Sequence, residues 1–414
     1  MSKRWINILL SLLIVPVLFT ACKKQYSSDK PLPTSYYPSI IISSDNQVVY
    51  GIDPGTGKKN WEFSMPHLIG VPTTTFTPSP LLYNEMVYLT AINSDTIYKI
   101  NSKTGALVAK MTLTPYTNFL GVIATPIADG SYIYLAAMDG TLYVIDTGAG
   151  KIQWKYSSPD GTRLSSSPTI YNGNVYFAST GGHVYCLNKA NGPDASGNPV
   201  WDYPGIDSVV YPLMPSFISS PSICPPYLYI GSVSDSNMYC IYLTPPTTSP
   251  PTPLVGKLRW TFKTGGAINS SPTTFAGKCI FGSNDFYVYC VDTQTHSAIW
   301  HFRTSSRVNS SPIIDNQTVY IGSDDYNLYS LNIINGTLKW GAPFKANGLI
   351  KSSPLPYKGT IYIGSYDGNL YAVDSAQGTL KWSFFINGNI EGSPVIDDLT
   401  GNNTNVSQIS GYIN

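Results

Sequence analysis

The chain repeats itself, and the repeat leaves few folds open. Residues 352–382, SSPLPYKGTIYIGSYDGNLYAVDSAQGTLKW, align without a gap on residues 310–340, SSPIIDNQTVYIGSDDYNLYSLNIINGTLKW. Residues 270–300 share the length and the pattern, and residues 166–192 begin it again. Two markers count the units. One is a Ser-Pro or Thr-Pro, at Pro80, Pro126, Pro168, Pro221, Pro272, Pro312, Pro354 and Pro394. The other is a tryptophan at the far end of each unit: Trp61, Trp154, Trp201, Trp260, Trp300, Trp340 and Trp382. The missing member falls on Ala109, four residues after Gly105, as Trp61 falls four after Gly57. Both series therefore have eight members.

Each unit reads as four short strands. The first follows the Ser-Pro. The second and third are runs such as IYIG and LYAVD, joined by a tight turn such as Tyr366-Asp367-Gly368, and the fourth carries the tryptophan. Four strands in 40 to 59 residues fit an all-β, eight-bladed β-propeller of antiparallel blades. Trp61 precedes any Ser-Pro, and Pro394 is followed by no tryptophan. The chain thus starts inside a blade, and the segment GSPVIDD near its end is expected to pair with residues 39–65 and close the ring. Closure removes sheet edges that would invite aggregation.

Composition excludes some functions. Charged residues make up 12% of the chain and the formal net charge is +1, without the basic footprint of a nucleic-acid-binding protein. Residues 1–21 have a secretory signal's form: Lys3 and Arg4, an apolar run over 6–19, and a small-residue site. Phe19-Thr20-Ala21-Cys22 resembles a bacterial lipobox, which implies acylation of Cys22 and attachment to the cell envelope. Lys23 lacks the character of an inner-membrane retention signal, so the outer membrane is expected. Residues 22–38 read as a flexible tether, 39–398 as the propeller, and 399–414 as a tail or part of the closing blade.

Five other cysteines, Cys186, Cys224, Cys240, Cys279 and Cys290, give no closed disulfide framework. Three follow a tyrosine at one repeat position and read as small packing residues; Cys279 and Cys290 could face each other across a hairpin. The four histidines are scattered, no Cys/His cluster suggests zinc, and His296 replaces the glycine of a turn. Aspartates recur at equivalent places: Asp139, Asp285, Asp325 and Asp367 in one turn, Asp53, Asp146, Asp292 and Asp374 after the third strand. Such recurrence assigns them to the turn and not to catalysis.

Over residues 39–398 the units resemble the PQQ-like (quinoprotein) propeller repeat, G-x-V-Y-V-G-S-x-D-G-x-L-Y-A-L-D-x-x-T-G-x-x-x-W, which residues 359–382 match almost throughout. The resemblance implies a propeller whose tryptophans weld adjacent blades. One branch of this family holds quinone-dependent dehydrogenases; the other holds lipid-anchored scaffolds of the BamB-like outer-membrane assembly type. The enzymes' vicinal cysteine pair and large insertions are missing from this sequence. The resemblance therefore implies a monomeric, non-catalytic envelope scaffold with a protein partner, for which the barrel-assembly machinery is the candidate, and no cofactor. PQQ with calcium in an oxidoreductase is the first alternative, and a surface module for glycans or small ligands the second.

Function should lie where the units differ. Three residues before the motif prolines stand Thr77, Ile123, Ser165, Ile218, Asn269, Asn309, Lys351 and Glu391. This ring passes from apolar to amide and charged, with Arg163 and Arg307 at matching positions beside it. Either its charges pair in a solvated channel, or Arg163, Asn269, Arg307, Asn309, Lys351 and Glu391 hold a small polar or anionic ligand. The long connection 202–217, with Val210, Tyr211, Leu213, Met214 and Phe217, is the candidate partner-binding loop, or else a cap on the ring.

Overall fold

The computed structural model describes residues 36–65, 78–113, 121–204, 215–243 and 255–399. The proposed signal and acylation site, most of the tether, and residues 400–414 lie outside them. Residues 37–399 belong to one compact unit of eight four-stranded antiparallel sheets. Every described regular element is a strand. Blade 1 is built from β1 (Ser39–Ser43), β2 (Val48–Ile52), β3 (Lys59–Ser64) and, from the far end of the chain, β32 (Val395–Asp397). Ile40 pairs with Ile396 and Ile41 with Val395, so the ring closes as the repeat register requires. Blades 2 to 8 follow in order, four strands each, from β4 (Leu81–Tyr83) to β31 (Leu380–Phe385). The weakest repeat, blade 2, is complete.

Local sequence explains the hairpins. The first turn of five blades is a two-residue turn with both residues left-handed, for example Asn172-Gly173 and Lys358-Gly359, the backbone that matches strand twist. After the third strand an Asp or Asn side chain accepts the next amides: Asp374 Oδ1 takes the N–H groups of Ala376 and Gln377 at 3.0 and 2.9 Å. In the other turn, Asp367 accepts the Tyr371 hydroxyl at 2.6 Å and the Asn369 amide at 2.9 Å. Asp139, Asp235, Asp285 and Asp325 clasp a tyrosine four residues on in the same way.

The blades are joined at three radii. At the axis, the second residue of each Ser-Ser-Pro-type motif links to its neighbour. The Thr125 amide donates to Ser167 Oγ, Ser167 to Ser220, Ser220 to Ser271, Ser271 to Ser311, Ser311 to Ser353, Ser353 to Ser393 and Ser393 to Ser79, at 2.8–3.3 Å. The first serine of the motif works inside the blade. Ser270, Ser310 and Ser352 accept the amides of Gly282, Gly322 and Gly364 on the second strand. Further out, aliphatic and tyrosine side chains of adjacent sheets form apolar layers between blades.

The outer seam belongs to the tryptophans. Each packs over a small residue on its own third strand and against a turn of the next blade. Trp154, Trp260, Trp300 and Trp382 lie opposite Val144, Cys240, Cys290 and Ala372. Across the seam, a methyl group on Gly378 would lie 2.6 Å from Trp340, and one on Gly57 would lie 2.7 Å from Trp382. Both glycines have left-handed φ, +73° and +70°. The indole N–H groups of Trp300, Trp340 and Trp382 donate to Ile333, Ser375 and Pro54 of the next blade at 3.0–3.1 Å. Trp340 differs locally: it lies in a bend before the short β27 (Phe344–Lys345), yet is 4% exposed.

Two seams use substitutes. Where the turn glycine is His296, the left-handed backbone is kept (φ +64°) and the imidazole stacks on Trp260 at 5.1 Å. In blade 2 the size order is reversed: Ala109 stands opposite Lys99, whose ammonium donates to Thr147 of the next blade at 3.1 Å. Met111 then packs against Gly150, the next blade's turn glycine.

The five cysteines among the described residues are free thiols. Cys279 faces Val291 and Cys290 faces Ile280 in the hairpin, so the pleat sends the two thiols to opposite faces and a disulfide between them is excluded. Burial pushes the thiols of Cys186, Cys240 and Cys290 up to about 12, which makes them inert packing groups.

Two outcomes follow. Trp340→Ala should cost about 3–5 kcal/mol as a buried large-to-small change, read by denaturant unfolding; a loss under about 1 kcal/mol would remove it from the seam. Deleting residues 390–414 takes away β32 and should leave an aggregating protein. A soluble truncation with unchanged melting would refute the closure.

Candidate functional site

The first strands of successive blades touch one another around the axis, so the segments leading into them line the central channel. Beside each segment lies the turn between the second and third strands. Its first variable residue donates its amide to the segment's carbonyl: Met138 to Gly121, Thr180 to Arg163, Val233 to Ser216, Asn284 to Ala267, Asp324 to Arg307, Tyr366 to Leu349 and Asp45 to Asn389. These bonds place two variable rings at one mouth of the channel. On blades 3 to 5 the pairs are Ile123 with Met138, Ser165 with Thr180, and Ile218 with Val233. On blades 6 to 8 and blade 1 they are Asn269 with Asn284, Asn309 with Asp324, Lys351 with Tyr366, and Glu391 with Asp45. One arc of the mouth is therefore mainly apolar and the other polar.

The polar arc holds two hydrogen-bonded groups. Asn269 Nδ2 donates to Asn309 Oδ1 at 2.8 Å, and Asn309 Nδ2 donates to Asp324 Oδ2 at 2.8 Å. The Lys351 ammonium donates to the Tyr366 hydroxyl at 3.1 Å and lies 4.6 Å from that ring's centre. Glu391 adds its charge near the Tyr366 hydroxyl and the Lys351 ammonium and helps to raise the pKa of both. Burial pushes the Asp324 carboxyl above its usual range, although Lys351, Asn309 and Arg307 pull the other way. Burial depresses the Lys351 ammonium, but Tyr366, Glu391 and Asp324 outweigh it and hold the group above its ordinary value.

Of the predicted channel residues, the structure assembles Asn269, Asn309, Arg307, Lys351 and Glu391 on adjacent blades. Arg163 is exposed on blade 4, three blades from Arg307, and joins no shared site. Thr77 lies outside the described residues. Asp324 and Tyr366 were missed, because each precedes the repeated turn aspartate and reads as part of that turn. The signal was there: the position is Asn, Asp, Tyr and Asp on blades 6 to 8 and 1, and Met, Thr and Val on blades 3 to 5.

In the candidate partner loop, Val210, Tyr211, Leu213 and Met214 lie outside the described residues. Phe217 requires a correction. It is fully buried, its ring edge-on to Tyr239 at 5.4 Å, and it belongs to the apolar layer between blades 4 and 5. It anchors the end of the connection and presents no surface to a partner.

The profile of the family described as outer membrane protein assembly factor BamB matches residues 39–210 and 252–413. The chain belongs to this PQQ-like propeller family. Among curated members and relatives, 26% identity over 179 residues links it to the tetrathionate hydrolase of Acidithiobacillus ferrooxidans, covering 37% of this chain and 34% of that protein. BamB of Salmonella typhimurium is 24% identical over 165 residues, covering 39% of this chain and 40% of the relative. The chain thus spans well under half the length of either relative. The BamB structure from Moraxella catarrhalis superposes with a TM-score of 0.59 at 17% identity, over 79% of this chain and 88% of that one, and supports the fold alone.

The resemblance to the quinoprotein repeat raises the question of a quinone and its metal at this mouth. Asn269, Asn284 and Asp324 each carry a buried side-chain oxygen with no hydrogen-bond partner. Yet the Asn309 amide already donates to the Asp324 carboxylate, with the charges of Lys351 and Arg307 close by. That donor and those two positive charges disfavour a divalent ion, and these residues do not fit a quinone–metal site.

A pH test isolates Asp324. Its raised pKa means that ionisation destabilises the fold as pH rises through the carboxylate range. Asp324→Asn should melt higher than the parent at pH 7, and the difference should shrink below the usual carboxylate pKa. A difference independent of pH would contradict the buried-charge assignment.

Proposed function

We propose that this protein is a non-catalytic, lipid-anchored scaffold of the cell envelope that works in outer-membrane protein assembly. The observation that carries the reading is the BamB family match on both sides of the 211–251 region. The repeated residues support it: the Ser and Trp positions join blades and the Asp–Tyr pairs close turns within them, which leaves the variable mouth as the surface that distinguishes this chain. The apolar arc of that mouth, with Met138 half-buried and Ile218 41% exposed, suits a protein contact better than a polar substrate. The reading includes no quinone cofactor and no chemical step.

In this reading Cys22 carries the lipid and residues 22–38 tether the propeller. Cys22→Ser should abolish incorporation of labelled fatty acid and release the protein from the membrane fraction. Retention of label would refute the anchor. For the scaffold, a photo-crosslinking amino acid at Ile218 in the full chain, in cells, should capture a component of the barrel-assembly machinery. Capture of other proteins alone, or of nothing above background, would overturn the assembly role.

A further inference from the structure

We propose that the ring of motif hydroxyls on the propeller axis is a binding site for a compact inorganic anion, a site independent of the scaffold reading. A serine hydroxyl has one proton to donate and two lone pairs to accept with. In this ring seven hydroxyl oxygens already accept a backbone N–H from the adjacent blade. That bond fixes each oxygen against the ring wall and leaves its proton as the unused half of the group. Among the described hydrogen bonds, none of these hydroxyls donates to another protein atom.

Accepting an N–H polarises a hydroxyl, strengthening it as a donor and weakening its remaining lone pair as an acceptor. The seven linked groups therefore converge as donors. They line a cavity of about 130 Å³ whose other walls are motif prolines, Thr169, Thr273 and Val395. No charged side chain lines it, so a cation entering would find no counter-charge, whereas an anion would find charge-assisted hydrogen bonds from several directions. Ser353 is buried and the other six hydroxyl residues are half-buried. Water alone would satisfy the donors but would also offer protons for which the ring has few acceptors. A hydrated halide or a tetrahedral oxyanion offers acceptors only.

The ring is also structural, so the test must remove donation without removing acceptance. In Ser311→Asp the carboxylate can still accept the Ser271 amide, but it donates nothing and adds a like charge. Ser311→Thr keeps the hydroxyl, as Thr125 does at the equivalent place in blade 3. The probe is bromide, with the full mature chain. Excess ³⁵Cl linewidth, displaced by bromide, should report binding in the parent and in Ser311→Thr, and should weaken about tenfold or more in Ser311→Asp. Crystals grown in sodium bromide should show an anomalous peak on the axis within the ring, a measurement that stands even if Ser311→Asp fails to fold. Broadening that is insensitive to Ser311→Asp, or crystals with bromide only on surface lysines and water on the axis, would overturn the site.

Discussion

Everything else in this molecule rests on the hydrogen bond from one blade's motif amide to the next blade's motif hydroxyl. A four-stranded sheet with two apolar faces cannot stand alone in water, and a stack of such sheets must curve back on itself to cover both ends. Apolar layers supply most of the attraction but are non-directional. The N–H to Oγ bond is directional and recurs around the axis, from Thr125 to Ser79. It fixes how far each blade advances on the last. It also explains why the motif has two hydroxyl residues: the first, as in Ser352, ties the strands of one blade, and the second, as in Ser353, ties two blades.

The outer seam repeats that logic with bulk. An indole fits between blades where the residue beneath it is small and the left-handed turn it meets is a glycine, or, at Trp260, a histidine whose flat ring stacks on it. This couples three positions on three strands: the tryptophan, the Cys, Ala or Val opposite, and the left-handed glycine of the next blade. Blade 2 shows that the coupling is one of volume and of one donated N–H. Lys99 and Ala109 exchange large and small across the strand pair, and the lysine ammonium reaches the carbonyl that an indole N–H reaches elsewhere.

Most of the fold was legible because periodicity writes the same constraint eight times. The blade count, the strand order and closure by the Ser393-Pro394 segment all follow from two markers. What was not legible is local compensation. Nothing in the spacing says that Lys99 substitutes for a tryptophan ten residues later, because the compensation crosses a strand pair. Phe217 read as exposed because it ends a long apolar connection, but a chain leaving and re-entering a ring must anchor itself on return, and a phenylalanine does so by entering the layer between blades. Asp324 was hidden by Asp325. Adjacent aspartates look alike in sequence, yet one clasps Tyr329 at 2.6 Å and the other turns to Asn309 and the channel.

That division between repeated and variable residues also bears on what the propeller does. A group used in most blades is occupied: its hydrogen bonds go to a turn, a strand or a neighbouring blade. Asp367, for example, has burial working to raise its pKa, but Tyr371 and the amides of Asn369 and Asn347 hold the carboxyl below its ordinary range. Asp324, without a turn to serve, shows the opposite shift. A ring that uses its repeated polar residues for assembly has its variable mouth left for recognition, and here the mouth is divided, mainly apolar on blades 3 to 5 and amide and charged on blades 6 to 8 and 1. An eightfold scaffold with a two-sided rim can orient a partner as well as hold it, because apolar contact at one arc and polar contact at the other define a direction across the axis.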